Sequence, residues 1–132
     1  MSSIALRYVA VLLVLAVGDF LWLSFFARVM FRPVLGDILL DDPRWSAAIL
    51  FYLIYALGVI VFPLELGLRH GALVPALLYG ALFGFLAYMT YDLTNLATIK
   101  AWTVPLALID MGWGALLTAA ATAMGYVITQ RF

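Results

Sequence analysis

Four apolar stretches, each long enough to cross a bilayer, take up most of this 132-residue chain. A transmembrane helix needs roughly 20 residues to cover the ~30 Å hydrocarbon layer. Residues 5–26, 46–66, 72–92 and 104–127 each meet that length. With 67% hydrophobic and 11% charged residues, and a mean hydropathy of +1.15, the chain holds more apolar surface than a water-soluble domain of this size can hide. The expected fold is all-α: a polytopic membrane protein with four transmembrane helices in a compact bundle. Little sequence is left over, so one transmembrane domain is expected over residues 1–132.

Seven Lys/Arg balance seven Asp/Glu. No basic block calls for nucleic acid, and no acidic tail is present. The chain has no cysteine, which removes disulfides, thiolate chemistry, iron–sulfur ligation and the usual structural zinc sites. His70 is the only histidine, so one chain cannot supply both axial ligands of a bis-histidine haem. Ala16-Val17-Gly18 resembles a small-residue cleavage site, but apolar character continues through Phe26, beyond a signal-peptide core, so the first span is expected to be retained.

Asp42-Pro43 reads as a cap and first-turn proline ahead of the second span, Pro75 falls in the first turn of the third, and Thr103-Val104-Pro105 repeats the pattern at the fourth. Pro63 lies late in the second span and predicts a kink or an early end near Phe62. The connections at 67–71 and 93–103 are short. The long one, 27–45, mixes Arg28, Arg32 and Arg44 with Asp37, Asp41 and Asp42 and with many apolar residues. Either a short interfacial helix over 33–40 or a loop with its apolar side chains tucked under the bundle fits that mixture. Ala76, Gly80 and Gly84 form one row of small residues, and Gly114, Thr118, Thr122 and Gly125 another. Such rows let helices approach closely in lipid; packing within one bundle is the simpler reading, a dimer motif the other.

Three aspartates lie in or at the edge of these spans, where a carboxylate is costly and is rarely kept without a partner or a task. Asp19 precedes the end of the first span by seven residues, about 10 Å at 1.5 Å per residue. Asp110 is six residues into the fourth span, at nearly the same depth, and Asp92 closes the third, with Asn95 one turn on. All three belong to one membrane face. Asp19-x-x-Trp22 and Asp110-x-x-Trp113 share a spacing that puts carboxylate and indole on one helix face. Tyr88 sits one turn inward from Asp92. Together Asp19, Trp22, Tyr88, Asp92, Asn95, Asp110 and Trp113 outline a candidate acidic pocket with aromatic walls. The plainer alternatives are a solvated Asp92 at a helix end, Asp19 and Asp110 bonded to neighbouring helices as structural glue, and Arg28 or Lys100 reaching inward as a counter-charge. Glu65 and Arg69, four apart at the opposite face, suit an ion pair, and His70 beside them is expected to be simply solvated.

The run Tyr91-Asp92-Leu93-Thr94-Asn95-Leu96-Ala97-Thr98, then Trp102 and Asp110-Met111-Gly112-Trp113-Gly114, resembles the bacterial predicted membrane-protein family "domain of unknown function 2177". Asp19-Phe20-Leu21-Trp22-Leu23 is similar too. The resemblance implies a multi-pass protein of the bacterial inner membrane and supplies no activity, so no catalytic residue follows from it.

Three functions fit the residues. The first is binding or processing a lipid or small amphiphile, with the carboxylates pairing an ammonium group or acting as acid and base. Oxygen ligands suit Mg²⁺ or Mn²⁺, but three scattered aspartates without histidine make a poor metal signature, and no cofactor is predicted. The second is a small proton-coupled transporter. Arg7, Arg69 and Arg131 on one side face Arg28, Arg32, Arg44 and Lys100 on the other, so the positive-inside rule sets no orientation and a dual-topology dimer fits. The third is a subunit without chemistry. The expected partners are membrane lipids, with a homodimer or a larger membrane complex open, and no nucleic acid.

Overall fold

Helices take up nearly the whole chain in the computed structural model, which describes residues 2–132. Four helices among the described residues are long and apolar enough to cross a membrane: α1 (Ile4–Ile38), α2 (Trp45–His70), α3 (Leu73–Thr98) and α4 (Val104–Arg131). The protein is an all-helical bundle of four membrane-spanning helices. Its polarity is the reverse of a water-soluble bundle. Leu13, Phe20, Ile54, Leu78, Leu82 and Leu116 are more than half exposed, while Asp19, Asp92, Asp110, Thr118 and Thr122 are buried. In hydrocarbon an outward apolar side chain costs nothing, and polar groups must find partners inside.

The two rows of small residues face each other. A methyl group added at Gly80 would lie 2.9 Å from the Thr118 carbonyl oxygen and 2.8 Å from Thr122 Cβ, and one at Gly84 would strike the Gly114 carbonyl. Gly125 meets Leu64 of α2 and Val11 of α1. The rows therefore serve packing within the bundle, and α4 becomes its central helix, buried at every turn from Leu106 to Gly125. Across α4 and α2, the hydroxyls of Tyr55 and Thr118 lie 2.8 Å apart.

Several boundaries differ from the sequence expectation. α1 does not stop at Phe26. It continues through a π-helical turn (Ala27–Phe31), an α-helical turn (Arg32–Leu35) and a 3₁₀ turn (Gly36–Ile38). There is no separate interfacial helix; this extension tucks Phe31 and Leu35 against Trp102 and Leu106. Asp42 is not a cap, since α2 starts at Trp45 after Arg44 with no side-chain cap. Thr103 is one, its Oγ1 accepting from the Leu106 amide at 3.3 Å. Pro63 neither stops nor breaks α2. The helix widens into a π-helical turn at Ile60–Leu64 and resumes over Glu65–His70. Proline has no amide hydrogen and its ring crowds the carbonyl four residues back; one wide turn relieves both. Residues 67–70 are helical too, and α2 ends at Gly71, whose φ of 70° favours glycine. α3 runs to Thr98, so residues 93–98 are helix and not a link. Arg69 pairs with Glu65 at 3.2 Å as the spacing predicts. His70, read from sequence as merely solvated, lies 3.0 Å from the Tyr79 hydroxyl.

The close approach of α3 and α4 sets the first expected outcome. Gly84→Ala should lose about 1–3 kcal/mol through overpacking against backbone that cannot move aside. Gly112→Ala, where an added methyl meets nothing within 4 Å, should leave stability unchanged or raise it by up to about 1 kcal/mol. Thermal unfolding of the two purified variants in one detergent checks the contrast; equal midpoints would contradict this packing.

Candidate functional site

Asp19 projects from the middle of α1 and draws a hydrogen-bond donor from each of the other three helices. Trp113 Nε1 of α4 donates to its Oδ1 at 2.9 Å. The hydroxyls of Tyr52 of α2 and Tyr88 of α3 both donate to its Oδ2, the second at 3.2 Å. Trp22, one turn along α1, donates through Nε1 to Asp110 Oδ1 of α4 at 3.2 Å. The two Asp-x-x-Trp segments thus satisfy each other. On antiparallel helices a spacing of three sets each carboxylate level with the other helix's indole. The two indoles stack between them, with ring centroids 4.7 Å apart and planes 7° from parallel.

From this pair a file of aromatic rings climbs toward the loop face. Trp22 stacks on Phe26, Phe26 meets Phe31 edge-on, and Phe31 leans on Trp102, whose other neighbour is Tyr91. The file closes the loop-face end of the bundle over the carboxylates. Asp92 lies beneath it. Placed from sequence at a helix end, in the candidate pocket or alternatively open to solvent, it is 0% exposed, and α3 continues past it. Its polar neighbours are Asp110 and Trp102. Neither of its oxygens has a donor in hydrogen-bonding geometry, and the Trp102 indole nitrogen is likewise buried and unpaired. No lysine or arginine pairs with any of the three aspartates, since the one ion pair among the described residues is Arg69–Glu65. Arg28 turns its Nε to the Ser24 carbonyl at 3.3 Å and is not an inward counter-charge.

The backbones of α2 and α3 approach each other beyond Ile60 and diverge toward the loop face. A cleft of about 450 Å³ lies between them, and Asp19, Tyr52, Tyr88, Tyr91 and Asp110 are its polar lining. Leu23, Phe51 and Tyr91 in its walls are 41, 45 and 51% exposed, so the cleft opens sideways between the helices. Farther from the loop face, Tyr55, Phe83 and Phe62 stack in succession between α2 and α3.

Of the residues singled out from sequence, Asp19, Tyr88 and Asp110 line this cleft. Trp22 and Trp113 stand behind it, bonded to the carboxylates. Asp92 is enclosed behind Asp110, and Asn95 lies outside the lining. Tyr52 was missed, although the depth count reaches it: it stands six residues after Ser46, as Asp110 stands six after Val104. Among the described residues no group of three or more His, Cys, Asp or Glu is arranged to hold a metal ion.

The glycine beside Trp113 is part of the site. A methyl at Gly114 would lie 2.7 Å from Tyr88 Cβ and closer still to its ring, so Tyr88 reaches Asp19 only by lying across a bare α-carbon. Gly114→Ala should therefore push the Tyr88 ring away and behave like Tyr88→Phe at the hydrogen bond, with Gly114→Ala the more destabilising of the two. Trp113→Phe should cost about 1 kcal/mol and be non-additive with Asp19→Ala, because both changes remove the bond from Trp113 Nε1 to Asp19 Oδ1. A double-mutant cycle by thermal unfolding measures this; full additivity would mean that the bond carries no stability.

No curated protein and no solved structure matches the chain. A family model described as "Predicted membrane protein (DUF2177)" matches residues 4–127, a range that takes in both Asp-x-x-Trp segments, Asp92 and the whole cleft. On that match the chain belongs to the predicted membrane-protein family DUF2177.

Proposed function

We propose that this protein binds a membrane lipid or small amphiphile in the cleft between α2 and α3, taking a hydrogen-bond-donating or cationic group, such as a primary ammonium, against Asp110 and the tyrosines. One observation carries this reading: the polar lining is two carboxylates and three phenols with no lysine or arginine, set in a cleft whose mouth lies between lipid-facing helices. Acceptors without cations call for a guest that brings donors or positive charge. Tyrosine faces add cation–π attraction where water is excluded. A guest headgroup would enter from the side with its chains still in hydrocarbon, so that only the polar group is transferred.

The two lining carboxylates divide the work. Asp19 already accepts three hydrogen bonds and is the structural anchor. Asp110 accepts one, from Trp22, and keeps acceptor capacity for a guest. In this reading the protein resides in a bacterial inner membrane and binds lipids of that bilayer.

Native mass spectrometry of gently extracted protein tests the proposal, with phosphatidylethanolamine as the probe. The wild type should retain it, and Asp110→Asn should lower retention by about tenfold, the scale of one charge-assisted hydrogen bond, with the unfolding midpoint unchanged. Ala47→Trp, which fills the mouth from the exposed side of α2 without touching a carboxylate, should do the same. Retention equal to wild type in both variants would overturn the reading and leave the aspartates as bundle glue.

A further inference from the structure

A second groove lies on the other side of α2's first turns, between them and the outer face of α1. It encloses about 620 Å³. Its composition is the opposite of the cleft's: Arg28 and Arg32 line it, and no carboxylate does. Both arginines are exposed, and neither is engaged by Asp37, Asp41 or Asp42, which follow them in the same connection. Arg28 has its Nε fixed on the Ser24 carbonyl, which leaves its terminal nitrogens to donate elsewhere. Trp45, at the start of α2, stands on the facing rim, where an indole suits the level of lipid headgroups.

Below the arginines the groove is apolar, lined by Ala16, Phe20 and Ile49 among others. From Ala16 to Arg28 is twelve residues, about 18 Å of helix, close to the ~15 Å half-thickness of the hydrocarbon layer. That is the length of one acyl chain under one headgroup. A guanidinium pair with no acidic partner matches a phosphodiester in charge and in hydrogen-bond geometry. The same headgroup cannot also serve the cleft: Asp19 and Arg28 are nine residues apart, about 13 Å along α1, with Leu23 in the wall that the two spaces share.

We infer that this groove is a site for an anionic phospholipid, its phosphate held by Arg28 and Arg32 and one acyl chain lying along Ala16, Phe20 and Ile49. The site is separate from the cleft and selects by the opposite charge.

The experiment offers full-length, delipidated protein equal amounts of phosphatidylglycerol and phosphatidylcholine with matched chains, and reads the retained ratio by native mass spectrometry. The wild type should enrich phosphatidylglycerol on the order of tenfold, as expected for two basic groups at the headgroup level. Arg28→Ala with Arg32→Ala should bring the ratio to about one. Because both arginines are exposed, the pair of changes should leave the unfolding midpoint in place. Ile49→Trp, which fills the groove and keeps both charges, should also abolish the enrichment; if enrichment survives, the arginines act as a diffuse surface charge and the groove assignment fails. No enrichment in the wild type, or an unchanged ratio in the double variant, overturns the proposal outright. The comparison is repeated in an Asp110→Asn background, where the cleft no longer contributes: enrichment that persists there and is lost with the arginines belongs to the groove, so failure here and failure of the cleft reading are told apart.

Discussion

A carboxylate in hydrocarbon has no water to turn to, and Asp19 answers that demand with an indole and two phenols from three other helices. Much of the bundle follows from this one junction. Each donor has fixed reach, so the depth of Trp113, Tyr52 and Tyr88 relative to α1 is fixed as well, and with it the register of all four helices. The second Asp–Trp bond, from Trp22 to Asp110, repeats the constraint one step along α1 and α4 and prevents the two helices from sliding or rotating against each other. In lipid, helix association gains little from burial alone, and directional bonds of this kind supply the specificity that a hydrophobic core supplies in water.

The junction also explains where the small residues sit. Tyr88 reaches across α4 at Gly114, and Gly84 of α3 lies on the Gly114 carbonyl. A side chain at either glycine would separate the two helices and lengthen the reach from Tyr88 to Asp19. Backbone proximity and polar satisfaction are thus one requirement met by two kinds of residue, and a change in the glycine row is a change in the carboxylate's environment. Asp92 shows the other side of this economy. It is as deeply enclosed as any polar group among the described residues, yet it stands beside Asp110 and an unpaired Trp102 and not inside a closed set of donors.

Much of this was legible in the sequence. The length of the apolar runs gave four helices, the depth count brought Asp19 and Asp110 to one level, and the matched Asp-x-x-Trp spacing pointed to a shared face. What that spacing did not reveal is reciprocity, because satisfying each aspartate from the opposite helix depends on which helices are neighbours, and topology is not written in a local motif. Tyr52 escaped notice because tyrosine in an apolar span is common and carries no cost that draws attention, unlike aspartate. The long extension of α1 was missed for a different reason. Arg28, Arg32 and Pro33 read as loop, yet a π-helical turn just ahead of Pro33, like the one around Pro63, lets the helix carry a proline that an α-helical turn would reject. A shift of backbone bonds by one residue leaves no compositional trace.

The cleft itself has a simple cause in the sizes of side chains along α2 and α3. At the closed end the helices meet through Gly67 and Ala76, where an added methyl would lie 2.6 Å from its neighbour. At the open end the facing positions carry Phe51, Tyr52, Tyr88 and Tyr91. Small residues at one end and rings at the other force the two helices into a wedge, with Tyr55 stacked on Phe83 between the two ends. The carboxylates line its buried inner wall because the same tyrosines that hold the helices apart are the ones that donate to Asp19. Separation of the helices and solvation of the charge therefore come from one set of side chains: shrinking Tyr52 or Tyr88 to let the cleft close would at the same stroke strip Asp19 of one of its three donors. A lateral opening with an acidic lining is in that sense a stable feature of the fold, present whether or not a guest occupies it.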